Sequence, residues 1–356
     1  ALGGAGPWPL VSFVFLWNEI LAFGFLSFLF SVGLALWLFG FWVRFRDGNI
    51  VVRVCLHAVA AAGLLVCHLF GFAVYALAVG AYEAGRVVLR WRKSGWCLPD
   101  REFFGGALQF VPALALFFTT STSSGLGTYR YEGLIHKLGD FSTPILLYST
   151  EWQLIVVTVF ASVLLYCLRK KWARIPAPCW FIIAIGTLCA LFVPSVMFNS
   201  YFLSHRMPVA LSFLFLATVQ WPEPAAQQWR IFRRSLLVAV AALTLYISWH
   251  WANFQAPFRD LIAVGRSITP GSSVLSMTLG TDRYAASLRP PLIRAVEYLV
   301  PTRQIFSPHI LADNWHQPIR LTAEATALVA AKTNPLFRPK GIAQGDLAKA
   351  FRETDF

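Results

Sequence analysis

Between Ile20 and Trp251 the chain consists largely of apolar runs, and the length of those runs leaves few folds open. A hydrocarbon core of ~30 Å takes ~20 helical residues at 1.5 Å each. Runs near that length lie at Ile20 to Val43, Val51 to His68, Gly71 to Val88, Phe104 to Thr120, Leu154 to Leu168, Cys179 to Phe198, Pro208 to Trp221 and Ser235 to Trp251. In lipid every backbone N–H and C=O must find its partner inside the segment, so such runs fold as transmembrane helices. Read as one helix, Val51 to Arg90 would reach ~60 Å, twice the bilayer core. A break is therefore placed at Cys67-His68-Leu69-Phe70-Gly71, with Gly71 as its flexible point. The sequence predicts an all-α polytopic membrane protein with about eight transmembrane helices over residues 20–252. Trp8 to Trp17 is apolar but too short to span, so residues 1–19 read as a helix end or interfacial segment. The chain opens Ala-Leu-Gly-Gly-Ala-Gly without an initiator Met or a signal-peptide pattern, and it reads as incomplete at its N-terminus.

A composition of 57% hydrophobic and 13% charged residues excludes a disordered chain, and the absence of a glycine period excludes collagen. The formal charge of +13 would suit nucleic acid, but its distribution points to membrane orientation instead, so no nucleic-acid partner is expected. Arg44, Arg46 and Arg53, then Arg86, Arg90, Arg92, Lys93 and Arg101, then Arg169, Lys170, Lys171 and Arg174, then Arg230, Arg233 and Arg234 all fall in alternate loops. The opposite loops hold only Arg130, Lys137 and Arg206. By the positive-inside rule the first set is cytoplasmic, which places 121–151, 199–207 and everything after Trp251 outside. Trp17, Trp152, Trp221, Trp249 and Trp251 sit at span ends, as an interfacial aromatic belt requires.

Beyond Trp251 the composition becomes that of a soluble domain punctuated by Pro257, Pro270, Gly271, Pro290, Pro291 and Pro301. Ser273 to Leu279 and Gln304 to Phe306 read as strands, Pro291 to Val300 and Thr322 to Ala331 as helices. Residues 253–356 are thus expected to form a small extracytoplasmic α/β cap with a mobile tail beyond Pro335. The six cysteines, Cys55, Cys67, Cys97, Cys167, Cys179 and Cys189, lie in spans or cytoplasmic loops and show no zinc-type spacing. His57 and His68 are eleven residues apart, close to three helical turns, and read as one helix face bonding a neighbouring helix rather than as haem ligands. Glu83, the one acid well inside a span, reads as an i,i+3 partner of Arg86.

The run from Trp17-Asn18-Glu19-Ile20 to Leu36, the segment Cys67-His68-Leu69-Phe70-Gly71-Phe72, the Ser204-His205-Arg206-Met207-Pro208 turn and Pro270-Gly271-Ser272-Ser273-Val274-Leu275 together carry a resemblance. The chain resembles an uncharacterised group of bacterial multi-spanning membrane proteins that look like GT-C class glycosyltransferases of lipid-linked sugars. What the resemblance implies is an inner-membrane protein working on a polyprenyl-phosphate sugar at the outer face. The class usually carries its catalytic carboxylate in the first outer loop after the first span; here nothing precedes Trp8 to supply one.

The outward polar groups are also those a lipid-phosphate site would need, alongside plainer readings: headgroup snorkelling for Arg206, helix-dipole compensation for Glu19 and solvated loop charges for Asp140 and Glu132. A glycosyl phosphate leaving group needs cationic or metal stabilisation, and an acceptor hydroxyl needs a base, both at headgroup depth. Glu19 and Asp140 are the candidate catalytic carboxylates, with Glu132 and Glu151 beside them. Arg206, His205, Lys137, Arg130 and His68 are the candidate substrate-binding groups, with Arg206 first because it sits in a short outer turn between two spans. The cofactor is unspecified by the sequence, although Asn18-Glu19 could hold a divalent metal. Two readings other than an enzyme stay open: an accessory subunit packed against other membrane chains, and a transporter. No internal repeat supports the transporter.

Overall fold

In the computed structural model, the described residues are 11–22, 24–95, 99–119, 129–145, 174–197, 202–220, 226–272 and 295–305, with isolated positions between 158 and 170 and at 274. They are mostly helical. In order, α1 is Ser12–Leu16, α2 Glu19–Ala22, α3 Leu26–Arg44, α4 Ile50–Cys67, α5 Leu69–Ser94, α6 Arg101–Leu108, α7 Val111–Thr119, α8 Leu134–Asp140, α9 Cys179–Phe192, α10 Leu203–Thr218 and α11 Ala226–Ser267. A two-residue strand β1, Tyr129–Arg130, pairs antiparallel with β2, Val196–Met197. Among the described residues, five stretches are long and apolar enough to cross a membrane: Leu26–Arg44, Ile50–Cys67, Leu69–Ser94, Arg101–Thr119 and Arg233–Ser267. Their length and composition are those of a helical membrane protein.

Packing selects a face that the sequence of α3 barely marks. Phe28, Val32, Ala35, Phe39 and Trp42 are each 2% exposed or less and recur at alternating steps of four and three, a heptad seam. Phe30, Trp37 and Phe41, equally apolar, point outward, where a bilayer would cover them. The seam meets Tyr75, Ala78 and Val79 of α5, Ala61 and Leu64 of α4, and beyond them Ile182 of α9 and Leu214 of α10 in one core. Small side chains at Ala35, Ala61 and Ala78 let the backbones approach, which substitutes for the hydrophobic drive that lipid removes.

Two boundaries differ from expectation. The first span does not begin at Ile20: α2 stops at Ala22, Gly24 takes φ +78°, and the long helix starts at Leu26. Glycine tolerates that left-handed backbone, so the chain turns there without strain. The break between α4 and α5 falls at His68, whose extended backbone ends one helix while its ring Nδ1 accepts from the Phe70 N–H and caps the next. His68 therefore lies outside α4 and shares no helix face with His57. Gly71 is not the hinge. It sits inside α5 against α3, where an added Cβ would meet the Ser31 side chain at 2.5 Å and the Ser31 carbonyl carbon at 3.1 Å. Gly71→Val is expected to force α3 and α5 apart and destabilise by about 1–3 kcal/mol, read as a lower Tm in detergent. An unchanged Tm would show that the contact yields freely.

The expected spans at Cys179 to Phe198 and Pro208 to Trp221 are the shorter helices α9 and α10, of 14 and 16 residues. Helix α9 ends at Phe192 because Pro194 follows and Val196–Met197 leaves to pair with β1. Most of Leu154 to Leu168 falls outside the described residues.

Asp100 caps α6: its Oδ1 accepts from the Phe103 N–H at 3.2 Å and its Oδ2 from Arg90 at 2.5 Å. Burial alone would raise its pKa, but the bonds from Arg90 and Phe103 and the charges of Arg90 and Arg46 hold it below the usual carboxylate value. The unfolded chain then binds this proton more tightly, so the contribution is full above the unfolded pKa of ~3.9 and fades as pH falls through the folded one. Asp100→Asn keeps a capping oxygen and loses the charge. It is expected to flatten the loss of Tm between pH 5 and pH 3. An unaltered acid limb would assign that loss to other carboxylates.

The chain divides into two compact units, Ala1–Ile247 and Ser248–Phe356, and the division falls within α11. Helix α11 does not end at Trp251 but runs to Ser267 with Pro257 inside it. In the second unit a 3₁₀ turn, Ala295–Tyr298, leads into α12, Leu299–Arg303, in place of a helix ending at Val300. Leu299 packs on Gly265, the Arg303 Nε donates to the Gly265 carbonyl at 3.0 Å, and the Gly271 N–H donates to the Gln304 carbonyl at 3.2 Å. Gln304 takes φ 55°, a left-handed helix end and not the start of a strand. The expected strand at Ser273 to Leu279 and helix at Thr322 to Ala331 lie outside the described residues, Val274 excepted.

Candidate active site

Three short elements bring distant polar residues to one place. Asn18 is fully buried and begins α2: its Nδ2 donates to the Phe15 carbonyl at 2.7 Å and its Oδ1 accepts from the Leu21 N–H at 2.9 Å. Both ends of that amide are engaged in the turn, so Asn18 is a cap and not a ligand. It fixes Glu19 in the first turn of α2, where the helix dipole favours an acid.

Helix α8 contributes Lys137 and Asp140 from one face. Lys137 is buried, and its Nζ donates at 2.5 Å to the carbonyl of Val193, the residue that ends α9. A cation there complements the helix C-terminus. Desolvation nonetheless pushes the Lys137 pKa below its usual value, against the charges of Asp140 and Glu132, which raise it. Asp140 is the last residue of α8 and only 6% exposed, with its Oδ2 lacking a hydrogen-bond partner among the described residues. A buried acid at the negative end of a helix is locally unfavourable, and such placements concentrate where function requires them.

Helix α10 supplies His205. Phe202 turns the chain in a left-handed conformation (φ 62°), and Leu203 starts the helix, so Ser204 to Pro208 is helical rather than the loop turn expected. The His205 Nε2 lies 3.3 Å from Asp140 Oδ1 and its Nδ1 3.5 Å from Glu19 Oε2. Thr143, buried in the turn after α8, places its Oγ1 3.4 Å from the same Nδ1. One imidazole thus stands between two carboxylates that are 121 residues apart in sequence, at 19 and 140. Glu132 joins them: ligand atoms of Glu132, Asp140 and His205 all lie within 4.8 Å of one another.

The remaining candidates are placed differently. Arg206 does not sit in an open turn; it is 5% exposed, with its guanidinium 4.2 Å from the centre of the Phe25 ring and 5.8 Å from those of Phe28 and Phe70. Cation–π contact with three rings accounts for a buried charge at this depth. His68 packs edge-on to Phe28 beside that cage. Arg130 lies on β1 with an exposed side chain, while its carbonyl accepts from both the N–H and the hydroxyl of Ser195 at 2.8 Å. Glu151 lies outside the described residues.

Elsewhere in the bundle the polar groups form a second network. His57 Nδ1 is 2.7 Å from the Tyr75 hydroxyl, which donates to Gln109 Oε1 at 2.7 Å. Glu83 accepts from Trp42 and Arg46 as well as the expected Arg86, and Arg53 pairs with Glu102.

No protein-family model matches the chain, and no curated protein or solved structure matches it significantly. The function must be argued from the site.

Proposed function

We propose that this chain is a GT-C-like membrane glycosyltransferase that moves a sugar from a polyprenyl-phosphate carrier to an acceptor hydroxyl at the outer face of a bacterial inner membrane. The full protein in this reading has eight spans and a C-terminal extracytoplasmic α/β cap. The observation that carries it is the imidazole of His205 between Glu19 and the buried Asp140. The arrangement suits a base: Asp140 or His205 takes the acceptor proton as the acceptor oxygen bonds to the anomeric carbon, and Glu19 orients the ring. The bond from that carbon to the phosphate oxygen breaks, and its electron pair leaves on the lipid phosphate. Arg130, exposed on β1, is the cation placed to stabilise that charge by contact, while the buried Lys137 and Arg206 would act only through their field.

The test is direct. The full chain in proteoliposomes is incubated with a labelled polyprenyl-phosphate sugar and a mixture of hydroxyl acceptors, and released polyprenyl phosphate is measured. Turnover supports the enzyme. No turnover, together with recovery of the chain only in stoichiometric complex with other membrane proteins, replaces the enzyme by the accessory-subunit reading.

A further inference from the structure

We infer that Glu132, Asp140 and His205 form a binding site for one divalent transition-metal ion of the zinc class, with Glu19 as the carboxylate that orients the histidine. Sequence spacing gives no hint of it, because the ligands come from the β1–α8 loop, the end of α8 and the first turn of α10. Four observations converge. First, the set contains a histidine, so it differs from the solvated acid clusters common on protein surfaces, and its ligand atoms lie within 4.8 Å of one another. Second, His205 Nε2 and Asp140 Oδ1 are 3.3 Å apart. That is long for a charge-assisted hydrogen bond, whereas two ligands each ~2.0–2.1 Å from a tetrahedral ion stand ~3.3 Å apart. Third, the other ring nitrogen faces Glu19 at 3.5 Å and Thr143 at 3.4 Å. That direction is the one in which a nearby carboxylate orients a metal-bound imidazole, although at these distances Nδ1 faces the oxygens without a short hydrogen bond. Fourth, Asp140 is 6% exposed and, among the described residues, its Oδ2 has no hydrogen-bond partner. A cation satisfies that buried oxygen, and the local excess of acid over base is what would hold it.

Three protein ligands, one of them the exposed Glu132, leave a tetrahedral ion with an open position. The open position would take a phosphate oxygen or the acceptor hydroxyl; with the ion bound, Asp140 and His205 would hold it rather than take the proton, and its Lewis acidity would take over activation of the hydroxyl in the reaction proposed above. The site is assigned to the same residues as that reading, but its test uses no sugar donor, so failure of either leaves the other to be judged separately.

The full chain, purified in detergent and stripped with a chelator, is titrated with zinc alone and with cobalt(II) alone. One zinc per chain and a tetrahedral cobalt absorption band are expected. Glu132→Gln, an exposed change that leaves the fold intact, and His205→Ala should each weaken binding by at least tenfold. Glu19→Gln should weaken it by ~10–100-fold through the histidine, while His136→Ala, an exposed histidine outside the set, should leave affinity unchanged. Absence of zinc binding by the wild-type chain, or wild-type affinity in both Glu132→Gln and His205→Ala, overturns the site.

Discussion

Asp140→Asn is expected to lower sugar transfer by about 10²–10⁴-fold while leaving the folded protein at least as stable as the wild type. The two effects have one origin. Asp140 ends α8, where the helix dipole presents partial negative charge, and it is almost wholly removed from solvent. Asparagine has nearly the same shape, removes the repulsion with the last carbonyls of the helix, and keeps an oxygen facing His205 Nε2. What it cannot do is accept a proton at neutral pH. The transfer rate should therefore fall in kcat, with KM for the lipid sugar little changed. Glu19→Gln acts through the orientation of His205, and its loss should be smaller, near tenfold. The measurement pairs initial rates in proteoliposomes with thermal unfolding in detergent. Retention of more than a tenth of wild-type kcat by Asp140→Asn removes Asp140 from the chemistry. A large fall in Tm would show that its charge serves the fold.

The membrane character of the chain was legible because it depends only on the length and polarity of runs, and five of those runs are long apolar helices. Which face of a run turns inward was not legible where both faces are apolar: Phe39 and Phe41 of α3 are the same residue type, one buried and one exposed. The breaks were half legible. The segment 67–71 does interrupt the helix, but His68 both ends α4 and caps α5, whereas Gly71 serves close packing. At the site, Glu19 could be named from its place at a span end, His205 from a short turn between two spans and Asp140 from a long outer loop, where polar groups stand out against the apolar runs. Their convergence could not, because it depends on how α2, α8 and α10 pack. Thr143 carried no signal at all, being one hydroxyl in a polar stretch. Arg206 was misplaced because Ser-His-Arg-Met-Pro reads as a turn, while a left-handed Phe202 moves the turn one step earlier and leaves these residues helical. Glu83 was assigned its neighbour Arg86, but its closer partner, Arg46, lies 37 residues away in the turn after α3.

That longer pair sets the second large effect: Glu83→Ala is expected to destabilise the bundle by about 3–5 kcal/mol. The Glu83 side chain is 3% exposed; its Oε1 accepts from the Trp42 Nε1 and from Arg46 at 3.0 Å each, and its Oε2 from Arg46 at 3.3 Å and Arg86 at 3.5 Å. Trp42 belongs to the last turn of α3, Arg46 to the turn that follows it and Glu83 to α5, so the carboxylate joins the end of α3 to α5. Truncation leaves an indole N–H and a guanidinium, 16% exposed, without that acceptor inside a packed bundle. Glu83→Gln should lie between alanine and wild type, because its amide oxygen still accepts from Trp42 but carries no charge for Arg46. Replacing the pair together, Arg46→Met with Glu83→Leu, should recover much of the loss, since the penalty comes from an unpaired charge more than from the value of the pair. The measurement is thermal unfolding in one detergent of wild type, Arg46→Met, Glu83→Leu and the double replacement as a double-mutant cycle, with Glu83→Ala and Glu83→Gln alongside. A fall of less than 1 kcal/mol for Glu83→Ala, or additive losses around the cycle, would mean that water or headgroup phosphate solvates Arg46 and that packing along the α3 seam alone holds the helices together.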